Sequence, residues 1–131
     1  MAGLGGCDPV RFPVEIVIFH ITARTAWEAA QSQPAYAPGS LGSQGFIHCS
    51  TIEQVIDTAN RLYRGRSDLV LLCIDESLLE SVIRYEQGEP GQYLPHVYGA
   101  VNLDAVRHAL DFRPNEDGTF TLPASVSQSE N

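Results

Sequence analysis

The 131-residue sequence predicts an α+β fold, a mainly antiparallel sheet carrying two main helices. Three observations lead there. Both strong helix signals fall in the first half of the chain, before residue 65. After residue 68, strand-like runs follow one another with only turn residues between them, whereas a doubly wound parallel sheet needs a helix between most strands. A hydrophobic content of 44% over 131 residues supplies one ordinary core without staples. The expected organisation is a single domain over residues 14–123, flanked by a flexible N-terminus, 1–13, and a flexible polar tail, 124–131.

Glu15-Ile16-Val17-Ile18-Phe19-His20 is compact and β-branched, which predicts a buried strand. Thr25-Ala26-Trp27-Glu28 has the form of a capping box, opening a helix that runs to about Gln33 and stops at Pro34. Residues 35–43, with Pro38, Gly39 and Gly42, read as a long loop of lid-like composition. Gly45-Phe46-Ile47-His48-Cys49 is a second strand, running into a second capping box at Ser50-Thr51-Ile52-Glu53. In the helix that follows, Ile52, Val55, Ile56, Ala59 and Leu62 make one apolar stripe. The uninterrupted run Leu69-Val70-Leu71-Leu72-Cys73-Ile74 suits a central strand covered on both faces.

A short helical turn at 76–80 and a strand at 81–86 come next, then a loop marked by Gly88, Pro90 and Gly91. Residues 93–98 are extended, and Pro95 argues for an edge position or a strand start. A turn or short helix spans 101–106. Segments 108–112 and 119–122 flank Asp117-Gly118, a hairpin signal.

The net charge of −8 disfavours nucleic acid and anionic membrane surfaces as partners. All eight basic residues are Arg, which excludes Schiff-base chemistry and a P-loop lysine. A bound phosphate would rest on Arg, backbone N–H groups or a helix N-terminus. Three cysteines, Cys7, Cys49 and Cys73, cannot all pair internally and lack metal-type spacing, so reduced thiols and a cytoplasmic location are expected. No run approaches the roughly 20 apolar residues of a transmembrane helix.

Chemistry concentrates in three histidines at or near strand ends. Side chains alternate along a strand, so Ile18 and His20 share a face, as do Phe46, His48 and Ser50, and Leu94, His96 and Tyr98. Four readings stand open for them: half-buried structural imidazoles, a three-histidine zinc site, acid–base catalysis by one histidine with Glu86, and binding of a polar ligand. Spacings of 28 and 48 residues offer zinc no support, and no metal is expected. Ser50 fits a helix N-cap first and, without excluding it, an anion contact at that helix N-terminus, while Tyr98 can stack on a flat heterocycle or simply pack. No glycine-rich dinucleotide fingerprint, Gly-x-Ser-x-Gly elbow or His-Glu-x-x-His is present.

Phe19-His20-Ile21-Thr22, Gly45-Phe46-Ile47-His48-Cys49-Ser50, the strand within 68–75, and Pro95-His96-Val97-Tyr98-Gly99 with Asn102-Leu103-Asp104-Ala105-Val106 together resemble the domain of unknown function 952 family. These are small bacterial proteins, and the resemblance spans roughly residues 16–112. It implies an ADP-ribosyltransferase-like fold with a split sheet, and a site for NAD or a related nucleotide as substrate or ligand. By position, His20 with Thr22 resembles the first-strand anchor of the nicotinamide-side ribose. His48 and Ser50 fall at the second-strand element, and Glu86, His96 and Tyr98 at the third. The transferase pattern carries a catalytic glutamate on its third strand, a place that Tyr98 does not fill. His20 and Glu86 are the candidates for catalysis, and binding, hydrolysis and transfer all stay open. The alternative from another class is a non-catalytic interaction module with structural histidines.

Overall fold

The structure is a computed structural model that describes residues 17–126. In chain order its elements are β1 (Val17–Ala23), α1 (Arg24–Ala30), β2 (Ala35–Tyr36), α2 (Gly39–Gln44), β3 (Ile47–His48), α3 (Val55–Leu62), β4 (Leu69–Asp75), a 3-10 turn (Glu76–Leu78), β5 (Val82–Glu89), β6 (Gln92–Tyr98), β7 (Val101–Asn102), a second 3-10 turn (Leu103–Ala105) and β8 (Val106–Phe112). They form two three-stranded sheets, ordered β1-β4-β8 and β3-β6-β5, and the small pair β2-β7. Every strand pairing among the described residues is antiparallel.

The apolar run at 69–74 is central for a physical reason. All seven residues of β4 are buried, because the strand lies between β1 and β8 and both of its faces are covered. Alternation sends Leu69, Leu71 and Cys73 to one side, where Val17, Phe19 and Ile21 of β1 join Val55 and Ala59 of α3. Val70, Leu72 and Ile74 go to the other side, against Ile47, Val97 and Val101. Burying each of these leucines contributes about 1.5–3 kcal/mol relative to leaving it exposed. The two large sheets meet at one bridge, where Phe19 and Ser50 exchange backbone hydrogen bonds of 2.8 Å each. That bridge sets His20 and Ser50 beside one another's strands.

Several elements depart from the sequence expectation. Helices number three among the described residues, since α2 occupies the stretch read as a loop, and β2 takes two residues of the same stretch. Gly45 ends α2 rather than starting a strand: it adopts φ 87°, and its N–H bonds the Leu41 carbonyl, the left-handed cap that glycine allows. Thr25 lies inside α1, whose N-cap is Ala23 with no side-chain bond, so the first capping box does not form. The second does not form either: α3 starts at Val55, its N-cap is Gln54, and no side chain caps it. Gln54 Oε1 accepts from Thr51 N–H at 3.0 Å and the Thr51 carbonyl accepts from Val55 N–H, which leaves Ser50 free of any capping task. Leu62 is 60% exposed because the apolar stripe rotates off the sheet at the end of α3.

Pro95 sits within the central strand of the β3-β6-β5 sheet rather than at an edge. Its carbonyl accepts from Cys49 N–H, so its nitrogen faces that same side, where the two-residue β3 has already ended and no donor is required. Glu89 pairs with Gln92, making Pro90-Gly91 a two-residue turn whose glycine has φ 82°, as a type II turn needs. Asp117-Gly118 does turn the chain, with Gly118 N–H bonding the Asn115 carbonyl, but residues 119–122 form no strand. Instead Phe120 stacks on Phe112 with ring centroids 4.7 Å apart, and Val126 packs into the same core. Residues 1–16 and 127–131, including Cys7, lie outside the described residues. Among the described residues no helix is long and apolar enough to cross a membrane.

Candidate functional site

A cavity of about 360 Å³ opens between α3, the short β3 and the middles of β1 and β6, so His20 and His96 lie within their strands rather than at the ends. His20, His48, Ser50 and His96 all line it, brought from three segments by the Phe19–Ser50 bridge and by the register that sets His48 directly opposite His96. Cross-strand partners share a face, so the His48 and His96 rings meet edge-on at 5.3 Å. A wider hollow of about 610 Å³ lies against α1. It is lined mostly by alanine and proline and has no charged side chain, so it lacks the convergent polar groups of a ligand site.

His20 is buried, and both ring nitrogens have protein partners. Nδ1 lies 2.6 Å from the His48 carbonyl oxygen and Nε2 lies 2.7 Å from the Tyr36 hydroxyl. Burial holds its pKa down at about 4, so the ring is neutral at pH 7. A carbonyl only accepts, and that settles the tautomer: Nδ1–H donates to His48, and Nε2 accepts from Tyr36 O–H. Tyr36 has one proton, so the Thr22 hydroxyl supplies the hydrogen of the 2.9 Å contact between Thr22 and Tyr36. Burial pushes the Tyr36 phenol up to about 12, which keeps it a donor. His20 and Tyr36 thus hold β1, β2 and β3 together behind the cavity. Thr22 reaches the site only through Tyr36.

His96 is placed differently. Its Nδ1–H donates to Glu86 Oε1 at 2.7 Å, and the same oxygen accepts from the Tyr98 hydroxyl at 2.6 Å. Those two donors, Tyr98 first and His96 second, hold the Glu86 carboxyl below its usual range, while the carboxylate raises the Tyr98 phenol. Glu86 and Tyr98 therefore stand behind His96 and do not line the cavity. With Nδ1 engaged, His96 Nε2 has no hydrogen-bond partner among the described residues. Like His48 Nδ1, it is an imidazole nitrogen able to hydrogen-bond a ligand. Phe46 stacks on the His96 ring at 4.1 Å and meets His48 edge-on at 4.8 Å, fixing both rings. His48 bonds Gln44 through Nε2, and burial, then the neighbouring His96, lowers its pKa.

Ser50 is buried, with its hydroxyl 3.5 Å from Thr58 Oγ1. Thr58 and Arg61 of α3 complete that wall, and Leu62 stands at the mouth. Cys49 also lines the cavity, but burial raises its thiol, so it is not a thiolate nucleophile. No group of three His, Cys, Asp or Glu side chains among the described residues is arranged to hold a metal ion.

Tyr36, Phe46, Thr58 and Arg61 escaped the sequence reading as site residues. Phe46 carried a signal, two residues before His48 on its own face. Thr58 and Arg61 carried a weaker one, at i and i+3 on the polar side of the α3 stripe. Tyr36 carried none, since a two-residue strand between prolines has no pattern.

A family model described as a protein of unknown function (DUF952) matches residues 21–109. No curated protein matches the chain significantly. Among solved structures the chain is similar to protein CC0527 from Caulobacter crescentus. Its crystal structure matches at 30% identity with a TM-score of 0.74, covering 80% of this chain and 93% of that one. Its solution NMR structure matches at 29% identity with a TM-score of 0.74, covering 87% and 99%.

Proposed function

The chain belongs to the DUF952 family, and we propose that it binds a small nucleotide of the NAD or ADP-ribose kind in the three-histidine cavity. In this reading the split antiparallel sheet is of the ADP-ribosyltransferase-like type. The observation that carries the proposal is the convergence of His20, His48, Ser50 and His96 on one cavity of about 360 Å³, inside the roughly 300–1,000 Å³ range of ligand sites. Its volume is at the small end of that range, which suits one half of a dinucleotide with the remainder extending past Leu62. His96 Nε2 takes the hydrogen bond to a ribose hydroxyl and is a group able to exchange a proton with the ligand. Glu86 acts through His96, and His20 acts through the His48 backbone, both as positioning residues.

An interaction module with structural histidines would have a sealed cavity, or an apolar patch without polar groups. This cavity has the exposed Leu62 in its lining, and His48, Ser50, Thr58, Arg61 and His96 stand among its apolar residues. The test is thermal unfolding of the purified chain with NAD, ADP-ribose, nicotinamide and nucleoside monophosphates, repeated with His96→Ala. A ligand at a hundred times its Kd stabilises the fold by about 2.7 kcal/mol. Stabilisation by NAD or ADP-ribose that disappears in H96A supports the proposal, and no stabilisation by any nucleotide refutes it.

A further inference from the structure

The cavity breaks the charge balance of the chain. The sequence carries sixteen acidic and eight basic residues, yet no Asp or Glu lines this cavity and one Arg does. That residue, Arg61, is also the least engaged of the ion-paired arginines. Arg66, Arg107 and Arg113 each meet a carboxylate within 3.2 Å, and Arg24 is bonded to Asp111. Arg61 has only Asp57, at 3.8 Å, with both side chains more than half exposed. An exposed pair at that separation holds a guanidinium weakly.

Two hydroxyls stand beside it. Thr58 lies one helical turn before Arg61 and so on the same face of α3, and Ser50 Oγ is 3.5 Å from Thr58 Oγ1. The wall therefore presents a planar cationic fork and two hydroxyls to one volume, while the Asp57 carboxylate 3.8 Å from Arg61 lies outside the cavity lining. The C-terminal end of α3 opposes an anion with about half a negative charge, but the guanidinium carries a full positive charge on a flexible arm. The overall charge of −8 is spread over the surface and screened beyond about 8 Å at physiological salt.

From this we infer that Arg61, with the Ser50 and Thr58 hydroxyls, is the phosphate-recognising wall of the cavity, so that its ligand carries a phosphoryl group. The inference rests on the reading that the cavity binds a small ligand, and it names the chemistry of one end of that ligand. Oxygen-rich tetrahedral anions suit this wall, because a guanidinium fork and hydroxyls together satisfy more oxygen lone pairs than a single carboxylate offers.

Titration with inorganic pyrophosphate, followed by calorimetry and by amide shifts in α3, tests the wall directly. Arg61→Gln is compared with Arg64→Gln, an exposed arginine that loses the same charge but does not line the cavity. The expected result is binding by the wild type and by R64Q, with a loss of about tenfold or more in R61Q. Equal binding by R61Q, equal weakening in R64Q, or no binding by the wild type overturns the inference. The two proposals fail separately. Pyrophosphate binding that depends on Arg61 without any response to NAD or ADP-ribose would leave the phosphate wall standing and remove the nucleotide. Equal stabilisation of wild type and R61Q by NAD would do the reverse.

Discussion

Acidification from pH 7 to pH 5 should weaken the fold through the buried imidazole of His20. The imidazole has a pKa of 6.5 in an unfolded chain and about 4 in the folded one, because burial disfavours its charged form. Below pH 6.5 the unfolded state therefore binds a proton that the folded state refuses, and stability falls as pH falls through the window from 6.5 to 4. A separation of about 2.5, at about 1.36 kcal/mol per unit, amounts to about 3 kcal/mol once pH is below 4, of which about 1.8 kcal/mol is in place at pH 5. Urea unfolding at pH 7 and pH 5 measures this, with His20→Asn as the reference, since asparagine keeps an N–H for the His48 carbonyl and does not titrate. H20N is less stable at pH 7, but its loss between the two pH values should be smaller than that of the wild type by about 1.8 kcal/mol. His48, whose pKa is also lowered, contributes with the same sign to both proteins. Asp75, Glu86 and Asp111 are held below their usual range, so the stability they contribute is lost only at lower pH. Equal losses in wild type and H20N would refute the assignment of a buried, neutral His20.

Two further outcomes follow from the packing. Removing the carboxylate in Glu86→Ala releases His96 Nδ1, so ring ¹⁵N shifts should move from a single Nδ1–H tautomer toward the mixture of a free imidazole; an unchanged tautomer would show that Glu86 does not set it. Leu71→Ala, at a position with 0% exposure in the centre of β4, should cost about 2–5 kcal/mol by urea unfolding. Leu62→Ala, at the exposed mouth, should change stability by no more than about 0.5 kcal/mol.

The most legible parts of the chain were those in which one residue pattern meets one burial pattern. The apolar run of β4 announces a strand covered twice, and the structure buries all of it. Alternation placed Ile18 under His20, which holds along β1, whereas Phe46 lies in the bend before β3 and meets His48 edge-on from there. Helix α2 was hidden because glycine at 39 and 42 costs about 1 kcal/mol each in a helix, so local propensity argues against what the αL cap at Gly45 and the surrounding packing permit. The start of α3 was placed too early for a related reason: Ser50-x-x-Glu53 has the form of a capping box, but Ser50 is held in a bridge to Phe19 and the helix begins only at Val55.

By itself, then, the sequence determined the α+β class and the central strand, and it singled out the three histidines as candidates. Tertiary structure decided how each histidine is bonded. Nothing near His20 in sequence distinguishes it from His96. Yet one has both nitrogens satisfied by Tyr36 and the His48 carbonyl, while the other keeps Nε2 toward the cavity with Glu86 behind it. Arg61 was one arginine among eight until folding placed it in the lining of a cavity that no carboxylate lines. The physical reason is the same in each case. Strand and helix periods act over a few residues and can be read along the chain, whereas hydrogen-bond partners and local charge come from contacts 10 to 28 residues apart, which only the fold brings together.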